Sequence, residues 1–269
     1  MAGDLDSALA ERLSAAGVDL SLLFSPGLGP WEAWLRLRDH GGRKATLVDL
    51  YALEAASRGI GPDALTASDR SRLKAAARPV SYPGRAAVLP GSDRPGDPHE
   101  IADYDPGWGR QFADWQGRLA RALGPAATRI EHVGSTSVPG LAAKPIIDIQ
   151  VSVPDVGEEV TYLPAAESCG LVLRMRESGH LLLWPPPVRP RDVHVHVCDS
   201  GSSWERRHLL FRDFLRRHSD TRESYGALKR ELIIRWQDDR KAYSEAKTEF
   251  VLDVLDKAER WAKSGNWRP

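Results

Sequence analysis

The stretch RIEHVGSTSVPGLAAKPIIDIQVSV, residues 129–153, sets a Gly-Ser turn, a Pro-Gly step and a lysine between two apolar runs. The flanking runs, 130–133 and 146–153, are short and rich in β-branched residues, which suits strands. Two strands of one sheet would fix the ends of the loop and leave its middle at the surface, where ligands are met. Gly134 lets another group approach the backbone closely. The hydroxyls of Ser135, Thr136 and Ser137, together with main-chain amides, suit phosphate oxygens, and Lys144 adds a point charge. A plainer reading stands beside this one: a tight turn whose hydroxyls cap the next segment and whose lysine is solvated. Asp148 lies within the apolar run PIIDIQV, where a carboxylate requires a partner or a metal.

Further strands are expected at 171–174, 180–184 and 193–198. Helical spacing precedes the sheet in GWGRQFADWQGRLARALG (Phe112, Trp115, Leu119, Leu123, ending at Gly124) and follows it in three segments from residue 203 onward. The fold class is therefore α+β, a small mixed sheet flanked by helices. Residues 1–78 read as a separate all-α domain: Leu5, Leu9 and Leu13 recur at i, i+4, Pro30 opens a second helix that Gly41-Gly42 ends, a third runs through TLVDLYALEAAS, and Thr66 with Asp69 has capping-box spacing. Proline and glycine crowd residues 79–100, the expected linker, so the second domain spans 101–262.

Lys plus Arg and Asp plus Glu are equal at 37 each, so no global charge points to nucleic acid or to an anionic membrane surface. The N-terminus lacks a basic region followed by an apolar one, and no run has the length of a spanning helix, which gives the expectation of a cytoplasmic protein without a membrane partner. Cys169 and Cys198 lack zinc-ligand neighbours and read as buried thiols.

In RDVHVHVCD, strand alternation sends Val193, Val195 and Val197 to one face and Asp192, His194 and His196 to the other. The two imidazoles then lie about 7 Å apart along the strand, at about 3.3 Å per residue. They can serve as transition-metal ligands, as a general base, or as neutral donors to developing phosphate charge, and the base is the preferred role. His132 reads as structural, holding the loop through a backbone hydrogen bond. Arg212, Arg216, Lys229, Tyr243 and Lys247 give the C-terminal helices a basic face. Solvation is the default for each; Arg212, Tyr243 and Lys247 are the candidates to face a nucleotide.

The succession IEHVGSTSVPGLAAKPIIDIQV, HVHV, FRDFLRRH, YGALKRELI and DDRKAYSEAKTEFV resembles the GrpB family over about residues 101–251, and the Gly-Ser turn with a strand acid resembles the nucleotidyltransferase superfamily. The resemblance implies that Gly134 and Ser135 hold nucleotide phosphates and that Asp148 is a catalytic acid holding Mg2+ with ATP or another NTP. The superfamily places a second acid two residues on, where this chain has Gln150, a weaker ligand through its amide oxygen. Three functions remain open: nucleotidyl or adenylyl transfer to a small-molecule acceptor, ATP-dependent amide-bond formation, or binding of a nucleotide or other anion without catalysis. The sequence leaves the oligomeric state open.

Overall fold

The computed structural model describes residues 5–24, 28–39, 45–77, 87–88, 100–177, 179–186 and 188–268. Most of the stretch 79–100 expected as a linker, and the Gly41-Gly42 helix end, lie outside these residues. The chain divides into two compact units, Met1–Ser81 with Ile234–Thr248, and Tyr82–Ile233 with Glu249–Pro269.

The first unit is helical throughout its described residues: α1 (Ser7–Ala15), α2 (Pro30–Asp39), α3 (Leu47–Ser57) and α4 (Ala67–Ala77). Thr46 and Asp49 form a capping box at the start of α3, and Arg12 of α1 donates to both oxygens of Asp49 at 2.8 and 3.0 Å. Thr66 and Asp69 cap α4 reciprocally, as their spacing predicts, with Asp doing what Glu usually does. A boundary at residue 78 leaves 234–248 in the second domain, and here the structure differs. The Tyr51 hydroxyl donates to Asp239 at 2.5 Å, the Tyr51 ring packs 5.7 Å from Trp236, and the Leu47 amide donates to Glu245. A separate helix from this stretch, Arg240–Ala246, therefore completes the first unit's core, an assignment that helical periodicity cannot make.

In the second unit, α5 (Gly107–Leu123) lies in the chain between the first and second strands of a mixed sheet, six-stranded among the described residues. The strands are β1 (Ala87–Val88), β2 (Arg129–Val133), β3 (Ile147–Val153), β4 (Val172–Glu177), β5 (His180–Trp184) and β6 (Val193–Asp199), in the order β1-β4-β5-β6-β3-β2. Among the described residues β3 and β6 alone pair in parallel, and the other pairings are antiparallel. A short helix, α6 (Leu163–Ser168), links β3 to β4, and α7 (Ser203–Arg217), α8 (Ser219–Arg235), the first unit's α9 (Arg240–Ala246) and α10 (Thr248–Trp261) follow β6. One sheet face is dry. Ile147, Ile149, Val151 and Val153 of β3 and Val193, Val195 and Val197 of β6 pack against Trp108, Trp115, Leu119 and Leu123 of α5. Alternation therefore turns Asp148, Gln150, Ser152, His194 and His196 to the opposite face. There α7 covers one end: Ser152 donates to the buried Glu205 carboxylate at 2.6 Å, and Trp204 stacks on His180 at 4.5 Å between ring centres. No helix among the described residues is long and apolar enough to cross a membrane.

Candidate functional site

The turn between β2 and β3 stands directly over Asp148. Gly134 has φ 68° and ψ −172°, a conformation open to glycine alone, and a Cβ there would fall 2.2 Å from Asp148 Oδ2. Glycine is thus required twice, by backbone angle and by the carboxylate beneath it. Ser137 Oγ donates to the Gly134 carbonyl at 2.6 Å and Thr136 Oγ1 to the Ile146 carbonyl at 3.2 Å, both hydroxyls being buried. Their hydroxyls therefore shape the turn, while Ser135 remains half-buried with its side chain bonded to the Tyr225 hydroxyl. Arg216 clamps the same turn from α7, donating Nε and an Nη to the Ser137 carbonyl at 3.0 and 2.8 Å. His132 holds the loop through the Thr136 hydroxyl at 3.1 Å rather than through the backbone, and its ring stacks on Phe112 at 4.7 Å.

Because β3 and β6 run parallel with Asp148 opposite His194 and Gln150 opposite His196, the carboxylate and both imidazoles meet. His194 Nδ1 lies 3.0 Å and His196 Nε2 3.6 Å from Asp148 Oδ1. Side-chain exposures of 28% for Asp148, 17% for His194 and 19% for His196 leave the cluster open to a ligand. Arg191 Nε donates to His194 Nε2 at 2.8 Å, and since a guanidinium only donates, that nitrogen accepts and Nδ1 carries the proton toward Asp148. Burial alone would raise the Asp148 pKa; the hydrogen bonds and charge of His194 and His196 outweigh it and hold the group below the ordinary carboxylate range. Burial moves His194 the other way, down from its ordinary value against the pull of Asp148, so the pair is a carboxylate and a neutral imidazole.

Other candidates have different surroundings. Gln150 is fully buried, its Nε2 faces Ser152 Oγ at 3.4 Å, and its Oε1 has no hydrogen-bond partner among the described residues. Arg212 ties α7 to β2 through Glu131 Oε2 at 2.7 Å and the His132 carbonyl at 3.1 Å. Lys144 is half-buried in the connection to β3. Tyr243 and Lys247 belong to the first unit, where Tyr243 is buried and the Lys247 ammonium lies 4.4 Å over its ring. Sequence reasoning missed Tyr225, Arg191, His180 and Trp204. Tyr225 stood within YGALKRELI, one of the segments carrying the family resemblance; nothing in spacing marked the others.

The donor set does not fit the magnesium that the resemblance implies. Magnesium takes oxygen ligands in near-octahedral geometry, whereas Asp148 is flanked by two imidazoles and the position of a second acid holds a buried amide.

Comparison with known proteins bears on the same segment. The family described as GrpB protein matches residues 98–257. A UPF0157 protein of Streptomyces coelicolor is 48% identical over 130 residues, 48% of this chain and 68% of its own length. One from Halalkalibacterium halodurans is 42% identical over 134 residues, 49% of this chain and 67% of its own. A protein of Mycolicibacterium paratuberculosis named dephospho-CoA kinase is 33% identical over 200 residues, which cover 64% of this chain and 49% of that one. Among solved structures, the conserved protein GrpB from Enterococcus faecalis superposes with a TM-score of 0.54 at 32% identity, over 60% of this chain and 99% of that one. With the family match spanning more than half of the residues, and the turn, strand acid and paired histidines lying inside it, the chain belongs to the GrpB family.

Proposed function

We propose that this protein is a nucleotide-dependent transferase that moves a nucleotidyl group from an NTP to a small-molecule acceptor. The observation that carries the reading is the contact of the Gly134 turn with Asp148, where a Cβ would fall 2.2 Å from the carboxylate. It puts a glycine-permitted backbone turn, suited to phosphate oxygens, against a carboxylate whose side chain is 28% exposed. In this reading the phosphates lie along Gly134 and Ser135, with Tyr225 and Arg216 fixing the turn from behind. The acceptor approaches from the side of His194 and His196. Its oxygen attacks the α-phosphorus, the α–β anhydride bond breaks, pyrophosphate leaves, and the acceptor proton passes to the imidazole–carboxylate cluster. A mycobacterial relative, of which the match covers 49%, is named dephospho-CoA kinase, which agrees in broad class.

Isothermal titration with a non-hydrolysable ATP analogue tests this. Wild-type protein should bind one equivalent, and Ser135→Ala should weaken binding at least about tenfold while remaining folded, since one charge-assisted contact from a hydroxyl to a phosphate oxygen contributes about 1.5–3 kcal/mol. Equal affinity in wild type and Ser135→Ala would remove the turn from the reading.

A further inference from the structure

We infer that Asp148, His194 and His196 form a binding site for a divalent transition-metal ion of the zinc class. The three side chains offer one ligand atom each, all within 4.8 Å of one another. Zinc holds nitrogen and oxygen donors at about 2.0–2.2 Å, so tetrahedral donors sit about 3.3–3.6 Å apart. The separations from Asp148 Oδ1, 3.0 and 3.6 Å, bracket that spacing before any ion has drawn the ligands in. Two imidazoles and one carboxylate leave a fourth position for a water or a substrate oxygen, the composition of an open rather than a closed zinc site. Imidazole donors also select against magnesium and calcium, which take oxygen.

A second observation comes from behind His196. A ligating histidine commonly donates its other ring N–H to a fixed acceptor, which sets tautomer and orientation. Here His180 Nε2 lies 3.0 Å from His196 Nδ1, with Glu177 Oε2 3.7 Å from His180 Nδ1. Trp204 stacks on His180 at 4.5 Å and lies 5.4 Å from His196, fixing both planes. The buried Gln150 Oε1, which has no partner among the described residues, belongs to the same row of side chains. On the other ligand, Arg191 now occupies His194 Nε2. Ligation through Nδ1 would move the ring proton to Nε2 and end its acceptance from Arg191, whose guanidinium also lies 3.8 Å over the Trp184 ring.

A metal there takes the place of an imidazole base, so the inference goes beyond the nucleotide reading and does not depend on it. Its test contains no nucleotide. Full-length protein stripped with EDTA is titrated with Co2+ and followed by its visible ligand-field bands, then with Zn2+ in competition. One equivalent of Co2+ should give the intense bands of a four- or five-coordinate ion, and one equivalent of Zn2+ should abolish them, while millimolar Mg2+ leaves them unchanged. His194→Gln and His196→Gln should each lose the bands, and His180→Gln should weaken Co2+ binding about 10–100-fold with the bands retained at saturation. His218→Gln, which alters a histidine stacked on Phe214 at the far end of α7, should bind as wild type. Circular dichroism of each variant separates loss of the site from loss of fold. The inference is overturned if wild-type protein shows only the weak bands of hydrated Co2+, if Mg2+ displaces the ion, or if folded His194→Gln and His196→Gln keep the wild-type spectrum.

Discussion

Replacing Gly134 by alanine should destabilise the second unit by about 2–6 kcal/mol. Two costs add. At φ 68° and ψ −172° a residue with a side chain occupies a sparsely populated region, at about 1–3 kcal/mol. The new methyl would also sit 2.2 Å from Asp148 Oδ2 and 2.9 Å from its Cβ and Cγ, closer than any real contact, and forcing a side chain into filled space costs about 1–3 kcal/mol more. Gly140→Ala is the internal control. Its φ is 80°, but the nearest atom to a new Cβ is Arg222 Nε at 3.6 Å, so backbone strain acts alone and about 1–2 kcal/mol is expected. Urea unfolding of both variants, with m checked for constancy, measures the difference. A double-mutant cycle isolates the overlap. Asp148→Ala removes the Oδ2 contact at 2.2 Å and the Cγ contact at 2.9 Å and leaves that to Cβ, so Gly134→Ala should cost at least about 1 kcal/mol less in that background. If Gly134→Ala is no costlier than Gly140→Ala, or if the two substitutions are additive, the turn does not press on the carboxylate and the site as described is wrong.

Ser152→Ala should cost about 1.5–3 kcal/mol, because the 2.6 Å bond from Ser152 Oγ is one of the few donors satisfying the buried Glu205 carboxylate that anchors α7 to the sheet; a loss below about 0.5 kcal/mol in urea unfolding would show that Glu205 finds other support. Burial holds His132 at a pKa of about 4 against an ordinary 6.5, so as pH falls through 6.5 the unfolded chain takes up a proton that the folded chain refuses until about 4. Stability from this group is complete above pH 6.5 and declines between 6.5 and 4 by up to about 1.4 kcal/mol per pH unit. His132→Gln should flatten that decline, and parallel pH profiles for variant and wild type would contradict it. Arg216→Ala should weaken binding of the ATP analogue about tenfold by freeing the Ser137 carbonyl, with Arg216→Lys no better than partial rescue because a lysine lacks the two-pronged donor; full rescue by lysine would argue for charge alone.

The sheet was legible because alternation is local: the valines of HVHV identify the core face without knowledge of any partner strand, and the register of β3 against β6 then brings Asp148 to His194. The turn was legible because Gly-Ser between two β-branched runs has few physical uses. What the sequence withheld is what depends on contacts distant in the chain. Residues 234–248 look like the rest of the C-terminal helices, and only contacts distant in the chain, from Tyr51 to Trp236 and Asp239 and from Leu47 to Glu245, assign them to the first unit. Thr136 and Ser137 look identical to Ser135 as donors to phosphate, yet their hydroxyls are occupied inside the loop. Arg191 stands just before the HVHV strand, His180 opens an expected strand and Trp204 lies on the helix of FRDFLRRH, but their relation to His194 and His196 arises from strand pairing and from the placement of α7. Gln150 was weighed as a ligand by its position on the strand; its complete burial is a property of the packed sheet.

The most direct measurement is a crystal structure of the full chain with a non-hydrolysable ATP analogue bound. The account predicts phosphate oxygens within about 3 Å of donors in the Gly134–Ser135 turn, with the α-phosphate nearer than the γ-phosphate to His194 and His196. A nucleotide bound elsewhere on the chain while this turn holds only solvent would contradict it.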